Sequence, residues 1–109
     1  MSDSPTIRLS VPSTARAGEL IEIKVMIQHP MESGYRRGVM GERIARDIIK
    51  YFRCSLDGEV IFQTEFYPGV AANPLLSFYT RAEQSGTLLF EWIDQQGVTW
   101  SEQADLMVE

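Results

Sequence analysis

Apolar and polar residues alternate with a period of two along most of this chain, the pattern of strands that turn one face to a core and the other to water. The clearest case is residues 20–28, where Ile21, Ile23, Val25 and Ile27 share one side and Glu22, Lys24, Met26 and Gln28 the other. The apolar set is entirely β-branched, which suits a pleated, half-buried surface. The same period predicts a short strand over residues 7–11 that buries Ile7, Leu9 and Val11 and stops at Pro12. A hairpin follows later in the chain. Residues 50–56 place Phe52, Cys54 and Leu56 inward, Asp57-Gly58 offers the two positive φ angles of a type I′ turn, and Val60, Phe62, Thr64 and Phe66 return inward. A strand over residues 75–81 succeeds the small-residue loop at 68–74. A last pair over 87–93 and 98–108 sets Leu88, Phe90 and Trp92 against Trp100, Ala104 and Leu106.

About seven short strands in 109 residues, with turns at fairly regular spacing, predict an all-β fold. The expected architecture is an immunoglobulin-like antiparallel β-sandwich, one domain over residues 1–109, with 1–6 flexible. One stretch breaks the alternation. From His29 and Pro30 to Asp47 lies a loop of about 18 residues, longer than most connections in a compact domain. It is therefore functional or partly ordered by a short helix, and GERIARDIIKYF (residues 41–52) is the segment that would supply a helical turn.

Composition narrows the chemistry. At 44% hydrophobic and 23% charged the chain has the make-up of one ordinary domain, and its formal net charge of -5 gives no general attraction for nucleic acid or an anionic membrane surface. No apolar run approaches the ~18 residues that suggest a membrane span. Charge is nevertheless uneven: Arg36, Arg37, Arg43, Arg46, Lys50 and Arg53 stand against Glu42 and Asp47 alone, while residues 83–109 carry six carboxylates and no basic side chain. The basic stretch is either a solvated loop or a surface that steers an anionic group or acidic partner.

Cys54 is the single cysteine, so no internal disulfide or CxxC redox pair exists. In phase with Phe52 and Leu56, it reads as a buried, inert thiol. His29 is the single histidine, too few for a hydrolytic triad beside its other roles, and its place at a strand end before Pro30 favours a structural or interface part. A small copper- or redox-active β-sandwich protein is the sharper alternative, but such copper sites use two His with a Cys and a Met, and the second His is missing.

Four segments, IKVMIQHPMESGYRR (23–37), RCSLDGEVIF (53–62), PGVAANPLLSFYTRA (68–82) and SGTLLFEWIDQQGVTWSE (85–102), together resemble the SoxZ family. The combination of HPMESG followed by AANP carries the resemblance. It implies a noncatalytic subunit, without cofactor or metal, of a sulfur-carrier heterodimer in bacterial thiosulfate oxidation. The partner would be a SoxY-like chain whose Gly-Gly-Cys-Gly-Gly arm bears the sulfur, with other Sox enzymes as transient partners. It also implies a periplasmic protein exported with its signal-bearing partner, in line with an N-terminus, MSDSPTIRLS, that lacks basic and apolar signal regions. Left alone, the chain would self-associate through its vacant interface. The expected contact residues are His29, Pro30, Met31, Glu32 and Gly34 of the first loop, Arg36 and Arg37 of the basic stretch, and Ala72, Asn73 and Pro74 of the second.

Overall fold

The computed structural model describes residues 5–109 and contains eight strands and, among those residues, no helix. They are β1 (Ile7–Ser10), β2 (Thr14–Ala15), β3 (Leu20–Ile27), β4 (Ile49–Leu56), β5 (Glu59–Glu65), β6 (Leu75–Arg81), β7 (Gly86–Asp94) and β8 (Thr99–Val108). Three strands form one sheet in the order β1-β3-β6, and five form the other in the order β2-β8-β7-β4-β5. The two sheets enclose a single core. The all-β sandwich expected from the alternation is the fold observed.

The alternating strand behaves as its pattern requires: Ile21, Ile23, Val25 and Ile27 are all buried, while Lys24 on the opposite face is exposed. They meet an inner face from the second sheet built of Phe52, Cys54, Leu88, Phe90 and Trp92, each essentially inaccessible. The sheets are joined by aromatic contact. Phe62 on β5 stacks on Phe78 on β6 with centroids 4.3 Å apart, and Phe52 lies 6.1 Å from Phe78 and 5.0 Å from Trp92. Such pairs contribute about 0.5–1.5 kcal/mol each beyond the area they bury.

Three details differ from the sequence reading. The eighth strand is β2, two residues long, and it runs parallel to β8 with Thr14 opposite Met107, so the second sheet is not purely antiparallel. The Asp57-Gly58 turn has the expected positive φ values of 47° and 90°, yet a bulge breaks the hairpin register: Cys54 faces Phe62 and Ser55 faces Val60, which leaves Ile61 as the extra residue. An extra residue reverses the side-chain phase beyond it, so Val60 points outward instead of into the core. The helical turn expected in residues 41–52 is absent. That segment instead pairs back on the preceding chain through isolated antiparallel bridges between Glu32 and Asp47 and between Arg37 and Arg43, and then enters β4. Of residues 1–6, expected to be flexible, 1–4 lie outside the described residues; the carbonyl of Thr6 accepts a 2.8 Å hydrogen bond from Gln28 N–H.

Candidate partner-binding site

At the end of the sandwich where β3 stops and β4 starts, the two loops singled out in the sequence are tied to each other. Asn73 takes a left-handed φ of 53°, which asparagine tolerates better than most residues, and this turns both its backbone and its side chain towards His29. Its Oδ1 accepts the His29 N–H at 2.9 Å and its own N–H donates to the His29 carbonyl at 2.7 Å. Ala72 and Asn73 remain exposed, and Pro74 is buried beneath them.

His29 is itself 5% exposed. Its Nδ1 accepts a hydrogen bond from Met31 N–H at 3.0 Å, its Nε2 faces Asp47 Oδ1 at 3.5 Å, and its ring meets Trp100 edge-on at 6.0 Å. The acceptor role of Nδ1 puts the proton of the neutral ring on Nε2, towards Asp47. Met31, at a positive φ of 50°, turns its side chain inward, where Sδ accepts the Ile49 N–H at 3.3 Å. His29, Met31 and Pro74 thus shape the two loops from within. Of the expected contact residues, Pro30, Arg36, Arg37, Ala72 and Asn73 are exposed, and Glu32 and Gly34 are half-buried.

Beyond Met31 the chain forms an arm, residues 32–47, held mainly by polar contacts between the buried Met31 and Ile48 at its two ends. The Glu32–Asp47 bridge has two 2.8 Å backbone hydrogen bonds, and Gly34 has a φ of 91°. A Cβ at Gly34 would come within 3.2 Å of Arg46 Cβ, so the glycine serves both the turn and the close approach. Arg36 grips Glu32 at 2.6 Å, and this ion pair holds the Glu32 carboxyl below the usual carboxylate range. At the base, Gln95 receives Arg46 Nε at 3.2 Å and donates to the Arg46 carbonyl at 2.9 Å.

Sequence reasoning missed four residues that contribute to this end of the molecule. Trp100 and Gln95 come from the β7–β8 region, remote in sequence from the loops they support, so local patterns carried no sign of them. Val39 and Met40 at the arm tip are 99% and 87% exposed. Their sign was legible: an apolar pair bracketed by Gly38 and Gly41 inside a basic loop.

The chain's one thiol is closed off. Cys54 is fully buried on β4, and desolvation pushes its thiol from an ordinary 9.0 up to about 12, so thiolate is scarce at neutral pH. Among the described residues, no group of three or more His, Cys, Asp and Glu side chains is placed to hold a metal ion, and the two-histidine donor set of the copper alternative cannot be assembled from His29 alone.

A search of curated proteins finds no match. Among solved structures, the fold is similar to a superoxide reductase (neelaredoxin) from Ignicoccus hospitalis, with a TM-score of 0.73 and 19% identity over 95% of this chain and 80% of that one. It is also similar to a putative superoxide reductase from Thermotoga maritima (TM-score 0.70, 16% identity, 97% and 86% of the two chains). The sulfur carrier protein SoxY from Chlorobium limicola f thiosulfatophilum shares it as well, at a TM-score of 0.67 and 12% identity over 94% and 78% of the chains. Identities this low establish a common sandwich and nothing about activity. The sequence, however, matches the family described as sulphur oxidation protein SoxZ over residues 7–105, nearly its whole length, and the chain belongs to that family.

Proposed function

We propose that this protein is the noncatalytic subunit of a periplasmic sulfur-carrier heterodimer in thiosulfate oxidation. It binds a SoxY-like chain and helps present that chain's cysteine-bearing arm to other Sox enzymes. The observation that carries this reading is the state of the chain's one thiol. A carrier must expose a nucleophilic sulfur, whereas Cys54 is walled in by Phe52, Phe90 and their neighbours and kept protonated. The cargo must then ride on another polypeptide. What this chain supplies is a surface: loops held in fixed conformations by buried His29 and Met31, with Pro30, Ala72 and Asn73 outside and Arg36 and Arg37 beside them. Preformed loops limit the entropy lost on association.

Copurification with a SoxY-like chain tests this. Ala72→Arg and Pro30→Asp change exposed side chains, and each is expected to reduce heterodimer yield at least about tenfold when the changed position lies in the packed centre of the interface. Met31 is unsuitable as a probe because a charge there would be buried and would unfold the loop. Undiminished heterodimer yield for both variants would count against these loops as the docking surface.

A further inference from the structure

The arm tip is built more rigidly than a solvated loop requires. Gly38 N–H donates to the Glu42 carbonyl at 2.8 Å, Gly41 N–H to the Gly38 carbonyl at 3.0 Å, Met40 N–H to Glu42 Oε2 at 2.9 Å, and Arg37 Nη1 to the Gly41 carbonyl at 3.1 Å. A side chain at Gly38 would collide with the Glu42 carboxylate, and Gly41 adopts a φ of 80°. Glu42 is therefore turned onto its own backbone. The result is a fixed turn that holds Val39 and Met40 out in water, flanked by Arg37 and Arg43, for which no ion-pair partner occurs among the described residues. Exposed apolar pairs on a preorganised support are the features of an anchor that fills a partner's pocket.

The opposite end of the same molecule has the complementary form. The arm leaves from the end of β3 and returns at the start of β4. A recess of about 370 Å³ opens where β4 and β8 end and β5 and β7 begin. Half-buried Leu56 and Ile61 line it above the buried Leu88 and Leu106, and Glu59 and Glu83 stand at its rim. Neither glutamate is ion-paired among the described residues. Arg81 is the one basic lining residue, and its guanidinium is engaged by the Gly18 carbonyl at 2.7 Å. Asp57 and Asp105, bonded through Thr87, add negative charge at this end.

The geometry points to a second copy of this chain as the occupant: the Val39–Met40 tip of one molecule enters the recess of the next, with Arg37 and Arg43 facing Glu59 and Glu83. The contact joins two different patches, so it is head-to-tail. Unless the rotation closes a ring, it leaves a free tip and a free recess at the two ends of each assembly and makes open chains. Only a small area is covered, so the association is weak, and its charge pairing makes it sensitive to salt.

Sedimentation of the isolated full chain tests this. In low salt the average mass should rise with concentration past that of a dimer and fall back towards the monomer in high salt. The double variant Val39→Asp, Met40→Asp and the double variant Glu59→Lys, Glu83→Lys alter only surface side chains. Each alone should associate at least about tenfold more weakly. Mixed together, they should recover one contact, between the intact tip of the recess variant and the intact recess of the tip variant, and stop at a one-to-one pair. A monomer at every concentration, a dimer that neither variant disturbs, or a mixture that does not pair would each overturn the proposal. Pairing with a SoxY-like chain plays no part in these readouts, so their failure is separable from failure of the proposed function.

Discussion

Strand β4 and the arm that leads into it are consecutive in the chain yet ordered by opposite means. In β4, Ile49, Phe52 and Cys54 are fully buried and the strand pairs on both sides, with β5 and β7. In the arm, Tyr35, Val39 and Met40 are more than four-fifths exposed, and shape comes from backbone bridges, a Glu32–Arg36 ion pair and carbonyl contacts from arginine. Order obtained by burying apolar surface stabilises the fold. Order obtained while leaving apolar surface in water contributes little stability to the monomer, and its use lies in contact with something else.

Substitutions should separate the two regions sharply. Phe52→Ala, which empties the aromatic centre, is expected to lower unfolding free energy by about 3–5 kcal/mol, whereas Val39→Ala should change it by less than about 0.5 kcal/mol. Chemical denaturation of both variants measures the contrast, and comparable losses would show that the arm is part of the cooperative core.

The thiol gives a second contrast, one of pH. Cys54 titrates near 12 in the folded chain and near 9.0 once exposed, so the unfolded state releases its proton first. Its contribution is intact below pH 9 and is lost as pH rises towards 12, by on the order of 4 kcal/mol over the whole range. Cys54→Ser carries no titrating thiol, and its stability should fall less steeply across that window. Identical slopes for the two proteins would mean that the thiol is not sealed.

At the junction of the two regions, Asn73→Ala leaves the His29 N–H without its acceptor and should cost about 1–3 kcal/mol. Asn73→Asp keeps the oxygen and should cost less. Smallest in stability terms are Arg37→Glu and Arg43→Glu, expected within about 0.5 kcal/mol of the parent. Their effect should instead be kinetic, a slower association with an acidic partner that recovers as salt is raised.

The same contrast decides what was legible in the sequence. Strands β3 and β7 could be read residue by residue because a two-residue period maps directly onto inside and outside when one face is buried. The bulge at Cys54–Ser55 could not, since it depends on a register with β5 that no local pattern encodes, and Val60 was misplaced for that reason. The arm misled in a different way. GERIARDIIKYF has helix-compatible residues, but it is held extended by Glu32 and Arg37 across the bridge, a pairing that overrides weak propensity. The closeness of HPMESG to AANP in space was not deduced. The His29–Asn73 bonds that create it span 44 residues, beyond the reach of any spacing rule.

On the proposed function, this chain is a scaffold and its companion bears the sulfur cargo. Intact-mass spectrometry of the heterodimer, taken during thiosulfate oxidation in a reconstituted system, tests it most directly. Sulfur adducts are expected on the SoxY-like subunit, with an unaltered mass for this chain. An adduct on Cys54 would contradict it.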